Sequence, residues 1–231
     1  MHEDAPGTDT HAHAATPSAA DGRGIASRNR ILDAAAEAFM ERGYSATSIV
    51  DIADRLGATK GSVYHWYRSK AQIYLDVHMR AIEIIIDAVS PLADGPEPPD
   101  ERLRRMLEAH GDTLIHKFAY QRVALQTTDM RTLEPQSIAL QEVRRELVAR
   151  RDHYEQLFAD VIAEGIAAGV FRPLAPRFAT KPVLGAMNWI TRWYDPEKED
   201  GRDPQETPRE IAAFAVRGLY PAEAAARGDG A

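Results

Sequence analysis

Cysteine is absent from the 231-residue sequence, which excludes disulfide bonds and zinc sites built on thiolates. Long apolar runs are absent too. The cluster at residues 84–89 is interrupted by Asp87 and falls well short of the ~18 residues of a membrane span. The N-terminus lacks the basic start and apolar segment of a signal peptide. We therefore expect a cytoplasmic protein without a membrane partner.

Catalytic and cofactor motifs are also missing. The sequence holds no nucleophile elbow, no P-loop and no G-x-G-x-x-G fingerprint. His78, His110 and His116 are scattered without metal-ligand spacing, and the H-x-H pair His11 and His13 is typical of a solvated tail. We expect neither an enzyme nor a bound metal or cofactor.

Charge is distributed unevenly along this acidic chain, whose formal net charge is −7. Residues 25–75 carry seven Lys and Arg against five Asp and Glu, whereas residues 195–231 carry five against nine. A locally basic segment on an acidic chain indicates one surface for an anionic partner.

Strand signals are nearly absent and helical periodicity recurs throughout, which predicts an all-α fold of about nine helices. We expect a disordered tail (1–24), a three-helix helix–turn–helix domain (25–72), a larger helical body (73–222) and a flexible tail (223–231). Gly43 and Gly57 are expected to end the first two helices, and Thr59 to begin the third. Further helices are expected over 69–90, 100–119, 121–132, 135–168, 176–194 and 208–220, with Pro135 in a first turn.

Residues 47–57 fit the first helix of a helix–turn–helix. Thr47 or Ser48 is the expected N-cap. Ala53 provides a small residue where the second helix approaches, and Leu56 an apolar anchor. Gly57 tolerates the positive φ that the tight turn requires.

The next helix divides into two faces. Val63, Trp66 and Tyr67 span an arc of about 100° and are expected to point inward. A glycine, Gly61, lies on the other face, where it lowers helix propensity by ~1 kcal/mol. It also lets a backbone approach a phosphate or base edge closely. A merely solvated face of a three-helix packing unit would more often carry Glu and Lys. The outward residues are Lys60, Gly61, Tyr64, His65 and Arg68.

The pieces F-x-x-x-G-Y-x-x-T-S, D-I-A-x-x-L-G and K-G-S-V-Y-H-W-Y-x-S-K lie within residues 31–74. Together they resemble the DNA-binding domain of the TetR family of transcription regulators. The resemblance implies a homodimer on a palindromic double-stranded DNA operator. Its two recognition helices would enter successive major grooves, about 34–36 Å apart.

The outward face and the resemblance together predict which residues contact DNA. The resemblance implies that Thr47 and Lys70, at helix starts, touch phosphates. It also implies that Lys60, Gly61 and Ser62 meet the groove, and that Tyr64 and His65 hold a phosphate or base edge. Arg28 and Arg30 either add backbone contacts or belong to a solvated helix start. The predicted contacts are Thr47, Lys60, Gly61, Ser62, Tyr64, His65, Arg68 and Lys70.

The body resembles, more loosely, a TetR branch that answers to acyl-CoA thioesters. The likeness lies in V-I-A-E-G-I-A-A-G-V-F-R-P, L-G-A-M-N-W-I-T-R-W-Y-D-P and E-I-A-A-F-A-V-R-G-L-Y. It implies a small-molecule effector, an acyl-CoA thioester or alternatively a hydrophobic drug-like or aromatic ligand. An Arg can pair with phosphates and a Trp can stack on adenine. The candidate ligand residues are Asn188, Trp189, Arg192, Gln126 and Met130.

Plainer interpretations of the body remain open. Trp189 and Trp193 are one turn apart, a spacing that also fits a dimer core, and Arg192 also fits a structural ion pair. Gln126 and Met130 also fit ordinary core or surface. Pro182 is expected to kink the helix or displace its start, and the loop 195–207 is long and acidic.

Two other function classes are weighed against a ligand-released repressor. An enzyme would use the body as a substrate pocket, but no paired carboxylate or catalytic triad is evident. A helical interaction module without DNA binding would tolerate changes at Lys60 and Tyr64.

Overall fold

A computed structural model describes residues 19–126, 137–195, 198 and 203–222, with side chains from residue 27 onward. These residues form ten helices and no strand, which confirms the all-α prediction. The helices are α1 (Ala19–Ala46), α2 (Ile49–Leu56), α3 (Lys60–Trp66), α4 (Lys70–Ala93), α5 (Pro99–His116), α6 (Phe118–Leu125), α7 (Ile138–Ala167), α8 (Pro176–Asn188), α9 (Ile190–Trp193) and α10 (Glu206–Arg217).

Hydroxyl side chains set the starts of four helices. Ser48, Thr59, Ser69 and Ser137 have extended backbones, and each hydroxyl oxygen accepts the N–H three residues ahead. Such caps satisfy donors that the first helical turn leaves unpaired, typically worth about 1 kcal/mol each. The helix that was predicted to open at Pro135 begins at Ile138 in the described residues; Pro135 itself lies outside them.

Several helix boundaries differ from the sequence prediction. α1 begins at Ala19, inside the predicted tail, and kinks at Gly43, whose φ is 78°. α4 continues through Pro91 to Ala93. The helix predicted over 176–194 is divided at Trp189 into α8 and α9.

Pro182 lies inside α8, which begins at Pro176 as predicted. Proline removes one helical hydrogen bond, to the carbonyl of Phe178 four residues earlier. Both Phe178 and Pro182 are exposed, so water can reach that carbonyl. The start of the helix is therefore not displaced.

α4 joins the two parts of the molecule. It packs on α1 of the DNA-binding part and also contacts α5, α6 and α7 of the body. Tyr74 meets Phe39 of α1 edge to face, with ring centroids 5.2 Å apart. The inward stripe of α7 is formed by Leu147, Tyr154, Phe158, Val161 and Gly165, which are all buried.

α5 approaches α8 and α10 at a glycine. A Cβ at Gly111 would lie 2.6 Å from Cβ of Pro208 and 2.8 Å from Sδ of Met187. Any larger residue there would push these helices apart. None of the helices in the described residues combines the length and apolarity needed to cross a membrane.

Candidate functional site

The turn between α2 and α3 has the geometry expected of a helix–turn–helix. Gly57 has a φ of 66°, and its N–H bonds to carbonyls at the end of α2. At the other end Ser48, rather than Thr47, caps α2 and forms a capping box with Asp51. The two hydrogen bonds from Ser48 lower the pKa of the Asp51 carboxyl.

The outward face of α3 carries five of the predicted DNA contacts. Lys60, Gly61, Ser62, Tyr64 and His65 are all exposed. The ammonium of Lys60 lies 5.5 Å from the centre of the Tyr64 ring. A Cβ added at Gly61 would meet only the Thr59 hydroxyl, at 3.7 Å. The fold therefore does not itself require a glycine at this position.

The inward face of α3 is narrower than predicted. Val63 and Tyr67 are buried, but the Trp66 side chain is 38% exposed, so its inward assignment is wrong. α3 ends at Trp66, and Tyr67 already has an extended backbone. The buried centre of the helix lies between Val63 and Tyr67, which leaves Trp66 on the flank, edge-on to His65 at 5.3 Å.

Thr47 and Lys70 are both directed into the protein. The Thr47 side chain is 2% exposed, and its hydroxyl donates to the carbonyl of Gly43 over 2.7 Å. The ammonium of Lys70 donates to the carbonyls of Tyr44 and Thr47, each over 2.7 Å, and lies 4.3 Å from the Tyr44 ring. These bonds hold the α1–α2 turn, so the predicted phosphate contacts of both side chains would compete with them.

Two arginines flank the outward face differently. Arg68 follows α3 and is exposed. Arg28 donates to the Tyr67 hydroxyl over 3.0 Å and to the Asp76 carboxylate over 2.5 Å. Burial raises the pKa of Tyr67 to about 12. Arg28 therefore ties α3 to α4 in the free protein, while Arg30 is simply exposed.

The helical body contains a cavity of about 200 Å³ between α4, α5, α6, α7 and α8. Its apolar lining comes from Ile82, Ile85, Ala124 and Leu125. Leu125 is 38% exposed. Apolar walls with a few polar groups are typical of small-molecule sites.

One polar pair in this cavity is His78 on α4 and Arg151 on α7. Nη2 of Arg151 donates to Nδ1 of His78 over 3.1 Å and to the carbonyl of Ala124 over 3.2 Å. His78 is fully buried, and burial and then the charge of Arg151 lower its pKa to about 3. Burial also lowers the pKa of Arg151.

A second polar pair joins α5 to α7. The hydroxyl of Tyr154 and Nδ1 of His110 are 2.9 Å apart. Burial lowers the pKa of His110 to about 3, while a nearby Asn188 side chain acts in the opposite direction. Burial raises the pKa of Tyr154 well above its usual range. Both groups are therefore neutral at physiological pH.

The predicted ligand residues are not brought together. Asn188 lines the cavity, but the Trp189 side chain is 63% exposed and Arg192 is also exposed. The break at Trp189 explains this, because the Arg192 N–H bonds to the Trp189 carbonyl three residues back, which tightens the turn. Gln126 caps the end of α6 beside the cavity wall. Met130 lies outside the described residues.

His78, Arg151, Tyr154 and Gln121 line the cavity and were not singled out from the sequence as ligand contacts. A usable signal was present: Arg151 interrupts the apolar stripe of α7 between Leu147 and Tyr154. A charged residue at an inward helical position is uncommon unless it has a partner or a function.

The chain matches two family descriptions that together span both parts of the structure. Residues 31–77 match "Bacterial regulatory proteins, tetR family". Residues 96–219, more than half of the chain, match "Tetracyclin repressor-like, C-terminal domain". The chain belongs to the TetR family. It is therefore a transcription regulator with a DNA-binding helix–turn–helix, and not an enzyme.

Relatives within the TetR family include both repressors and an activator. The chain is 28% identical to the transcriptional repressor KstR2 of Mycolicibacterium smegmatis, over 73% of this chain and 80% of the relative. It is 32% identical to the transcriptional activator FasR of the same organism, over 61% of this chain and 67% of the relative.

A solved structure of AibR in complex with isovaleryl coenzyme A and operator DNA is also similar. It superimposes with a TM-score of 0.68 and 26% identity, covering 84% of this chain and 98% of AibR.

Proposed function

We propose that this TetR-family regulator is a homodimeric repressor, bound to a palindromic operator and released by an acyl-CoA thioester. The observation that carries the proposal is one chain holding both an exposed recognition face on α3 and a polar-lined cavity in the body. The same molecule can therefore bind both an effector and DNA, so that one binding event can affect the other. Such coupling requires the effector to favour one of two conformations.

Operator recognition is assigned to the exposed face of α3. Lys60 neutralises a phosphate, and Gly61 lets the backbone approach the groove. Tyr64 and His65 supply a hydroxyl and a ring nitrogen within the same face. Arg68 adds charge at the end of the helix. Thr47 and Lys70 act indirectly in this scheme, because their side chains hold the turn that positions α2.

Dimerisation is assigned to α8 and α10. Phe178 is 73% exposed and Phe214 77% exposed, and both border an apolar groove of about 380 Å³ between these helices. Trp193 is also exposed, at 53%. Neighbouring exposed rings of this kind favour a protein–protein contact. A second copy of the chain covers this face in our proposal.

An acyl-CoA effector is supported by the AibR complex with isovaleryl coenzyme A and by the size of the cavity. A cavity of about 150 Å³ holds one benzene ring, so 200 Å³ accommodates a compact acyl group but not the nucleotide. Asn188 lies at the cavity, while Trp189 and Arg192 lie outside it. In our proposal the acyl end lies inside the cavity and the nucleotide end outside it, an orientation that this order of residues supports.

The proposal is tested with DNA flanking the gene for this protein. Binding should prefer one palindromic sequence, at two chains per site, and weaken steeply with salt. A short-chain acyl-CoA should then lower operator affinity by about fivefold or more. Salt-insensitive binding without sequence preference would refute operator recognition. Release by an apolar aromatic compound but by no thioester would instead favour the hydrophobic-ligand alternative.

The sign of regulation needs a separate experiment, because similar regulators include the repressor KstR2 and the activator FasR. A reporter gene behind the operator should be expressed more strongly when the regulator gene is deleted. Weaker expression after deletion would identify an activator.

A further inference from the structure

We infer that the cavity recognises an oxygen acceptor, a carbonyl or a carboxylate, on a compact apolar group, through the side chains of His78 and Arg151. This inference rests on the proposed effector-responsive function and goes further, by naming the chemistry that the effector must present. It follows from hydrogen-bonding capacity that the described residues leave unused on the buried His78 and the partly buried Arg151.

The proton on His78 is located by its partner. A guanidinium group only donates hydrogen bonds, so Nδ1 of His78 must accept from Arg151 and carries no proton. The ring is neutral, since burial and the neighbouring charge disfavour its protonation. The single proton of a neutral imidazole must then be on Nε2.

That Nε2–H group has no acceptor among the described residues. The atom is fully buried and makes no hydrogen bond there. A buried donor without a partner costs about 1–3 kcal/mol, and such a group requires an explanation. His78 is among the residues that line the cavity, and an acceptor atom on a molecule bound there would pair with this donor.

Arg151 adds positive charge beside the same ring. Only its Nη2 atom makes hydrogen bonds in the described part of the chain, and no carboxylate there pairs with it. Glu155, one turn further along α7, also lines the cavity, but its carboxylate accepts from Lys181 over 2.5 Å. The guanidinium therefore retains donors and a charge for a ligand oxygen.

The other polar side chains of the cavity have hydrogen-bond partners within the protein or lack a charge. Tyr154 and His110 bond to each other, and the Gln121 amide donates to the carbonyl of Ala81 over 3.0 Å. Nε2 of His110 is also buried without a hydrogen bond of ordinary geometry, although the Asn188 side chain is close enough to affect the ring. His78 and Arg151 are the pair that combine an unused donor with a charge.

This chemistry selects among possible ligands. A pure hydrocarbon would leave the Nε2–H unpaired, and a cation would be repelled by Arg151. A carbonyl or carboxylate attached to a small apolar group fits both the donors and the walls formed by Ile82 and Ile85. A thioester and a free acid both present that chemistry, so the experiment must separate them.

The experiment measures dissociation constants for the full chain by calorimetry, using matched probes. Butyryl-CoA is compared with S-butyl-CoA, a thioether that differs only in lacking the carbonyl oxygen. Hexanoate is compared with hexylamine, which has the same number of carbons but the opposite charge. We expect the acceptor-bearing member of at least one pair to bind about tenfold more tightly or better.

Two variants assign the effect to the proposed side chains. His78→Phe retains an aromatic ring and removes both nitrogens, and Arg151→Met keeps an unbranched apolar chain without the charge. In each variant the preference within the pair should fall to about onefold. Arg145→Met is the matched control, since Arg145 is an exposed residue of the same helix and should leave the preference unchanged.

The outcomes are decisive even if the buried variants fold poorly, because the probe pairs are also compared on the unaltered chain. Preference for butyryl-CoA identifies a thioester carbonyl, and preference for hexanoate identifies a carboxylate; either supports the inference. Equal binding within both pairs, or binding of neither acceptor-bearing probe, overturns it. Operator binding and release, measured separately, decide the proposed function.

Discussion

The hydroxyl of Tyr120 donates a hydrogen bond to Oδ1 of Asp33 over 2.9 Å. Tyr120 lies on α6, next to Gln121 of the cavity wall, whereas Asp33 lies on α1 of the DNA-binding domain. α4 also links the DNA-binding domain to the cavity. Its Asp76 accepts a hydrogen bond from Arg28 of α1, and His78, two residues further along α4, lines the cavity. A ligand that moves α6 or α4 would therefore act directly on the DNA-binding domain.

The change Tyr120→Phe should weaken this coupling. Asp33 is exposed, so water can replace the lost hydroxyl and the stability cost should stay near about 1 kcal/mol. The ratio of operator affinities with and without effector should shrink by about threefold or more. Fluorescence anisotropy on labelled operator, with and without a saturating effector, measures that ratio.

Tyr220→Phe provides a matched control for this experiment. Its hydroxyl donates to Asp100 over 2.8 Å, in a bond within the body. It should cost similar stability and leave the coupling ratio unchanged. An equal loss of coupling in both variants would contradict a specific role for the Tyr120–Asp33 bond.

Replacing Gly61 should separate folding from DNA binding. Because a Cβ at Gly61 meets only ordinary van der Waals contact, Gly61→Ala should stabilise the protein by up to ~1 kcal/mol through helix propensity. Operator affinity should fall, since the added methyl group stands between α3 and the groove. Urea unfolding and anisotropy measure the two effects. Unchanged operator affinity would show that Gly61 does not contact DNA. The control Gln141→Ala, on the exposed side of α7, should change neither operator affinity nor operator specificity.

Much of the DNA-binding domain could be predicted from local sequence, whereas the cavity could not. Gly57 and Val63 act within one or two helical turns, so spacing and capping rules located them, and the same rules narrowed the N-cap of α2 to Thr47 or Ser48. Trp66 was misassigned because the end of α3 changes its direction, and helix ends are hard to place. His78 and Arg151 are 73 residues apart, and their meeting depends on how α4 and α7 pack.

Two lysines of the DNA-binding domain should behave differently when neutralised. Lys70→Met removes a charged donor from partly buried carbonyls of the α1–α2 turn and should destabilise the protein by about 1.5–3 kcal/mol. Lys60→Met should barely affect stability, because Lys60 is exposed. Lys60→Met should instead make the slope of log operator affinity against log salt concentration shallower by about one unit. Equal stability losses would show that Lys60 also has a structural role.

Acidification should destabilise the protein before its carboxylates titrate. His78 and His110 have pKa values of about 3 in the folded chain against 6.5 ordinarily. The unfolded chain therefore gains protons below pH 6.5 that the folded chain does not bind until about pH 3. The free energy of unfolding must fall across that window, by up to about 1.4 kcal/mol per pH unit for each histidine.

Urea unfolding at about pH 7 and about pH 5.5 measures this slope, since ordinary carboxyl groups change little in that range. His110→Gln keeps a polar group next to Tyr154 and should reduce the pH dependence by about half. A slope unchanged by this substitution would mean that other groups carry the acid sensitivity.

The close approach of α8 and α10 at Gly111 predicts that a single added methyl group lowers the stability of the protein. Gly111→Ala places a Cβ 2.6 Å from Pro208 and 2.8 Å from Met187, so α10 or α8 must shift. Overpacking of this kind typically costs about 1–3 kcal/mol, despite the gain in helix propensity. Gly61→Ala in α3 is the matched control for stability, because its added Cβ meets only one ordinary van der Waals contact, at 3.7 Å. Chemical denaturation should show opposite signs for the two variants, and stabilisation by Gly111→Ala would mean that α10 accommodates the methyl group without losing its packing.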